Sequence, residues 1–426
     1  MQTTTDPFIN QLRLMQHIEE LAQIGRIADT GVCRLALTPE DMEGVKQVKA
    51  WMEGAGLSTR IDAFGNLIGR LEGRHSDLPI LMIGSHIDSQ PYGGRYDGAI
   101  GVLGALEAVQ SLIEQGIQPL MPIEVIAFCD EEGSRFNKGL FGSRGITNQL
   151  EEGELERQDK SGVTRREALE ACGCSPADFD ISVYSPGSIG HYLELHIEQG
   201  PVLEAMNAPV GLVTGISGPL WLTVTMKGMA GHAGSVPMVM RHDALAGSAK
   251  VIAAFDDMVR EEPEAPTVGT VGSLRVFPDS RNIIPEEVSF TLDLRDMDMK
   301  RRNRLQGQLM TLLDEISSRY GLTYTVTEDT NSEPRYCAAS IMSVIRSAAD
   351  EIDLPLPELM SGPFHDALAL SYVCDYGMIF VRSKDGISHH PSEFSSPEDI
   401  ALGTEVLYRT IRSMCISGMS SNRYPD

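Results

Sequence analysis

The sequence is poor in the features that would direct it to nucleic acid, to a bilayer or to an oxidising compartment. Only 35 Lys and Arg stand against 60 Asp and Glu, a net charge of −25, and a surface this acidic opposes non-specific binding to polyanions and anionic lipid. No uncharged apolar run approaches the ~20 residues that span a bilayer. The start, Met1-Gln2-Thr3-Thr4-Thr5-Asp6-Pro7, has neither a basic nor an apolar leader region, so no signal peptide is expected. Cysteines number 7, an odd count. The one close pair, Cys172-Gly173-Cys174, fits no zinc template, and such sparse thiols suit a reduced, cytoplasmic protein. Internal repeats and low-complexity tracts are missing too. These absences leave a soluble cytoplasmic chain with no nucleic-acid or membrane partner.

What is present is enough apolar material for two domains: 426 residues, 42% of them hydrophobic, exceed one ordinary core. Residues 79–84 form a short apolar run. A loop rich in Gly and Asp follows, and then Val102, Leu106, Val109 and Ile113 recur at helical spacing. A second run, from Ile123 to Cys129, stops at Asp130-Glu131-Glu132-Gly133. Strand, helix and strand in this order predict a mostly parallel sheet with helices on both faces, and ligands beyond the carboxyl ends of its strands. Residues 151–190 are polar and read as surface helices and loops with little chemistry.

From about residue 211 the period changes. Leu222, Val224 and Met226 alternate with Trp221, Thr223, Thr225 and Lys227, and Val288, Phe290, Leu292 and Leu294 also recur at every second position. That is the pattern of half-buried strands. Asp243–Phe255 reads as helical. A further helix enters at Asp298 and closes at Gly321. The fold class expected is therefore α/β: a domain of residues 1–210 and 329–426, with a small α+β, ferredoxin-like domain inserted at 211–328. The stretch Thr327–Pro334 would be the return hinge, and Leu220-Trp221 would form an exposed edge able to pair across a two-fold axis.

Five segments place imidazole or carboxylate groups in loops, four of them just after apolar runs: Gly84-Ser85-His86-Ile87-Asp88, Tyr96-Asp97-Gly98, Asp130-Glu131-Glu132-Gly133, Glu194-Leu195-His196-Ile197-Glu198-Gln199-Gly200 and Ser388-His389-His390-Pro391-Ser392-Glu393. Each alone is most often a solvated loop. Together, at the strand ends of one domain, they form a ligand set for zinc, manganese, cobalt or nickel.

These motifs, with Ala230-Gly231-His232-Ala233-Gly234, resemble the M20 metallopeptidase superfamily, and within it the hydantoinase/carbamoylase-type amidases, over about residues 60–400. The resemblance implies two divalent ions per subunit. His86, Asp97 and His196 would surround one, and Asp97 would bridge to a second held by Glu132 and His389. It implies Glu131 as general base, with Asp88 orienting His86. The latter also has a physical reason, since a ligating imidazole usually gives its other N–H to a carboxylate. From the small domain it implies His232 as oxyanion donor, from its own or the partner subunit, and Asn282 and Arg295 as the grip on a substrate carboxylate. Gln199 would contact the ureido group. His365 lies in a loop resembling one near the active site, where Pro363-Phe364 departs from the usual small pair. His17, His75, His191 and His242 read as surface or structural residues. The expected activity is hydrolysis of N-carbamoyl-L-amino acids by a homodimer joined and lidded through the inserted domain. Allantoate is the nearest rival substrate. An M20 peptidase or aminoacylase and a non-catalytic, metal-stabilised binding protein are more distant readings.

Overall fold

The computed structural model describes residues 7–417; most of the N-terminal stretch read for a leader lies outside them. The described chain divides into two compact units, one running up to Thr214 and resuming at Cys337, the other spanning Gly215–Tyr336.

The larger unit is built on a mixed sheet. At its centre the strands Asp375–Val381, Ile189–Ile197, Ile80–His86 and Ile123–Phe128 lie side by side in that order, all parallel. They are apolar and buried on both faces, as interior parallel strands are. The expectation of a mostly parallel sheet holds here and fails at both margins. Leu67–Leu71 runs antiparallel to Ile123–Phe128, and Val210–Ile216 antiparallel to Asp375–Val381. One margin is a hairpin set by its turn: the Asp62 carboxylate accepts from the amides of Phe64 and Asn66, 2.9 Å each, and returns the chain from Ser58–Ile61 into Leu67–Leu71.

The helix Ala99–Glu114 carries the Val102, Leu106, Val109 stripe but is not amphipathic. Nearly every residue from Ala99 to Leu112 is buried, as befits a helix covered all round. It packs on the central strands and against the helices Gln11–Leu21 and Pro397–Ser417.

The smaller unit is a four-stranded antiparallel sheet in the order Val268–Phe277, Glu287–Asp296, Gly218–Lys227, Thr323–Asn331. The helices Ala244–Arg260 and Met299–Tyr320 cover one face, over a core that includes Leu222, Val224, Phe290 and Leu309. The helix limits follow local chemistry. Asp298 caps the first turn by accepting from Lys300 and Arg301, and Gly321 closes the helix at φ 63. Two expectations are corrected. Thr327–Asn331 is no hinge but the end of an outer strand. Leu220-Trp221 is no edge either: Gly218–Lys227 is an inner strand, paired on both sides, and Leu220 is fully buried. Period-two alternation shows which face of a strand is buried, whereas strand order depends on partners far along the chain.

All seven cysteines are free thiols. Among the described residues no helix is long and apolar enough to cross a membrane.

Candidate metal centre

The four parallel strands end on one side, and each delivers a ligand-type residue there. His86 is the last residue of its strand and His196 the penultimate residue of its own; Glu131 and Glu132 follow Phe128, and His389 lies beyond Val381. Asp97 enters just before the helix Ala99–Glu114, across Gly98 at φ 62. A β-carbon at Gly98 would stand 2.4 Å from the His86 ring, so only glycine lets Asp97 and His86 approach.

Two ligand groups form around Asp97. Its Oδ1 is 3.1 Å from His196 Nε2 and 3.8 Å from His86 Nε2, while Oδ2 is 3.2 Å from His389 Nε2. His389 Nε2 is in turn 3.6 Å from Glu132 Oε2. The sets His86–Asp97–His196 and Asp97–Glu132–His389 each have ligand atoms within 4.8 Å of one another. Nitrogen and carboxylate oxygen in sets of three, joined by one carboxylate, fit a pair of first-row divalent ions. Glu131 belongs to neither set; its Oε2 lies 3.6 Å from His86 Nε2.

The electrostatics follow from burial and from Asp97. Burial pushes the His86 imidazole down to about 4. Burial would lower His196 too, but Asp97 outweighs it and raises this imidazole to about 9. The hydrogen bond to Asp97 raises His389 to about 9. Burial lifts Glu132 to about 7 and Glu131 well above the ordinary carboxylate range, helped by Asp366, Glu132 and Asp88.

Several expectations are refined by contact. His86 Nδ1 donates to the main-chain carbonyl of Asp88 at 3.0 Å, whereas the Asp88 carboxylate stands 3.8 Å away. That carboxylate instead accepts from the amides of Glu131 and Glu132, 3.2 Å each. Asp88 therefore holds His86 through its backbone and the two glutamates through its side chain. Gln199 donates to Asp97 Oδ2 at 2.9 Å and lies 3.2 Å from His389 Nε2, so it sits inside the ligand cluster. His365, in the loop that the resemblance places near the active site, is 1% exposed and edge-on to His196, with Nε2 2.7 Å from Ser361 Oγ, and its ring nitrogen forms with Glu194 and His196 a further group of ligand-type atoms within 4.8 Å of one another. It stands at the N-terminus of the buried helix Asp366–Leu370. His232, Asn282 and Arg295 belong to the smaller unit. There Ala233 N donates to Asn282 O at 2.9 Å, which keeps His232 and Asn282 together. Arg295 pairs with Asp293 and lies over Trp221.

Two residues had no role assigned from sequence. Gln90 donates to Glu132 Oε2 and accepts from Ser134, fixing that carboxylate. Glu393 is buried, accepts from the amides of Tyr96 and Asp97 at 3.0 and 3.1 Å, and takes the Ser388 hydroxyl at 2.9 Å. It thus ties the His389 loop to Asp97. Its place beside His389 was the only sequence signal, and burial lifts it to about 7.

These shifts set a pH dependence. His196, His389, Glu132 and Glu393 all have folded-state values above their ordinary ones. Each therefore stabilises the metal-free fold fully below its unfolded pKa, and that contribution is lost as pH rises through the folded value. The two carboxylates act between about pH 4.5 and 7 and the two imidazoles between about 6.5 and 9; above pH 6.5, where the lowered His86 no longer titrates, the melting temperature of chelator-treated protein should fall up to about pH 9. Divalent metal displaces the same protons, so its affinity should rise across that window. Thermal melts with chelator and with added Mn²⁺ or Zn²⁺ test this; a chelated protein that gains stability with pH across that window contradicts it.

The chain belongs to the M20 family of metallopeptidase-type hydrolases: the profile of Peptidase family M20/M25/M40 matches residues 82–413. It is 46% identical to an N-carbamoyl-L-amino-acid amidohydrolase of Pseudomonas sp. (strain NS671), covering 96% of this chain and 99% of that one. An allantoate deiminase of Arabidopsis thaliana is 35% identical over 92% of this chain and 80% of its own length. Among solved structures, a hydantoinase/carbamoylase-family amidase of Burkholderia multivorans superposes with a TM-score of 0.89 at 36% identity, covering 96% of this chain and 98% of that one.

Proposed function

We propose that this protein is a metal-dependent amidohydrolase that cleaves the ureido C–N bond of N-carbamoyl-L-amino acids, giving the L-amino acid, CO2 and ammonia. The observation that carries this reading is one carboxylate, Asp97, with its two oxygens turned to two separate ligand groups, and Glu131 beside them in neither group. Two divalent ions held by His86, Asp97, His196, Glu132 and His389 would polarise the ureido carbonyl and bring the pKa of water towards ~7. Glu131 takes the proton of the attacking water and returns it to the leaving nitrogen. Gln199 contacts the ureido group, and Asp88 keeps the two glutamates in place. In the smaller unit, His232 donates to the developing oxyanion, while Asn282 and Arg295 bind the carboxylate.

The smaller unit is also proposed as lid and dimerisation element. Its outer strand Val268–Phe277 leaves Val268, Leu274 and Phe277 exposed, and a long edge of this kind is a template for pairing with a second copy. Sparse free thiols support a cytoplasmic setting.

Allantoate has both a ureido group and a carboxylate, and the 35% identical deiminase keeps it as the second reading. A panel of N-carbamoyl-L-amino acids, their D-isomers and allantoate, assayed for ammonia with Mn²⁺, Zn²⁺ or chelator, separates them. Release from the L-carbamoyl compounds, abolished by chelator, is expected. Turnover of allantoate alone would favour the second reading, and metal-independent turnover would overturn both.

A further inference from the structure

The segment 151–190, read from sequence as solvated surface, supplies a fully buried arginine behind the turn that carries Glu131 and Glu132. Arg165 is 0% exposed. Its Nη2 donates to Asp130 Oδ2 at 2.9 Å and to Lys138 O at 2.8 Å, and its Nη1 donates to Glu154 Oε2 at 2.6 Å. Glu154 is held from its other oxygen by Arg144 at 2.6 Å, and the guanidinium lies 4.3 Å above the Phe141 ring. Packed and bonded on these sides, Arg165 has little freedom to move.

Asp130 is the residue through which this matters. It has a left-handed backbone at φ 55, which a residue with a β-carbon keeps only where its surroundings enforce it. That conformation turns the chain sharply out of the Ile123–Phe128 strand and sets where Glu131 and Glu132 project. Three contacts enforce it. Phe141 N donates to Asp130 O at 3.1 Å, the Asp88 carboxylate takes the two amides that follow, and Arg165 holds the side chain. Among the described residues the other oxygen of Asp130, Oδ1, has no hydrogen-bond partner. The direct side-chain hold shown on this carboxylate is therefore Arg165.

We infer that Arg165, acting through Asp130, is a positioning residue for the Glu131–Glu132 turn. This rests on the reading of Glu131 as the base. Arg165 touches neither the ligand cluster nor substrate. It fixes the angle at which a base on one side and a ligand on the other are presented, and a shift of about 1 Å in such groups costs ~10²-fold in rate.

The test compares Arg165→Met, Arg165→Met with Asp130→Asn, Arg165→Lys, Glu131→Gln and the unsubstituted metal-loaded enzyme. Arg165→Met should lower kcat per metal-loaded chain by about 10–100-fold, with KM within about threefold. The double variant removes the Asp130 charge, Glu154 keeping its Arg144 partner, and should regain melting temperature while kcat stays low. Arg165→Lys keeps charge without the planar fork and should fall between. A purely structural ion pair would behave differently: kcat would return with stability in the double variant, to within about threefold of the unsubstituted enzyme, and that result overturns the inference. Should Arg165→Met fail to fold, the double variant alone decides. If the unsubstituted enzyme turns over and Glu131→Gln does not, a normal kcat in the arginine variants rejects the positioning role and leaves the proposed activity standing. Turnover retained by Glu131→Gln would reject the proposed base itself.

Discussion

Glu131→Gln should retain its metal and lose about 10²–10⁴-fold in kcat, the range ascribed to a positioned general base. The side chain keeps its size, and neither ligand group around Asp97 includes it, so metal content should stay at that of the unsubstituted enzyme. The amide cannot accept the proton of water at neutral pH, so the loss should fall on kcat and leave KM nearly unchanged. Metal analysis beside steady-state kinetics checks both halves. Glu132→Gln is the useful contrast: that carboxylate lies 3.6 Å from His389 within the second group, so its loss should deplete metal as well as activity. A Glu131→Gln protein that works at the normal rate would remove the base from the mechanism.

His232→Ala and Arg295→Ala should each lose roughly 10²-fold or more in kcat/KM, yet recover activity when the two variants are mixed. The reason lies within the smaller unit. His232 pairs with Ile283 beside Asn282, in a two-residue ladder that lies in sequence beyond the Lys227 and Glu287 ends of the main strands. Arg295 pairs with Pro219 at the opposite end of Glu287–Asp296. Eight strand residues span about 26 Å at ~3.3 Å each, too far for one small substrate to meet both from a single copy. If His232, Asn282 and Arg295 all meet one substrate, the first two must come from one copy and Arg295 from another. In a heterodimer of the two variants one site regains all three residues, and random pairing should restore about a quarter of the unsubstituted rate. Differently tagged subunits, co-purified and assayed, test this. An inactive purified heterodimer would place the three residues on one copy or outside the reaction.

Features set by neighbouring residues were legible in the chain. The Asp298 cap and Gly321 stop bound a helix because capping acts within one turn. Leu222, Val224 and Met226 share a buried face because side chains alternate along a strand. The polar motifs after apolar runs fell at the ends of parallel strands for the same local reason, whereas the grouping of His86, Asp97, Glu132, His196 and His389 into one ligand set came from the resemblance to M20 hydrolases.

Partners brought from far along the chain were not legible. Gln199 meets Asp97 across 102 positions, and Arg165 meets Asp130 across 35. Nothing near Arg165 in the sequence distinguishes a buried arginine from a solvated one. The burial of His365, the inner position of Gly218–Lys227 and the engagement of Asp88 with two amides likewise depend on which segments pack together. The sequence by itself determined helix limits such as Asp298 and Gly321 and which face of a strand is apolar, since those are short-range properties of the backbone. Tertiary structure alone decided which oxygen faces which imidazole and which charges are sealed from water, since only packing brings distant groups into contact.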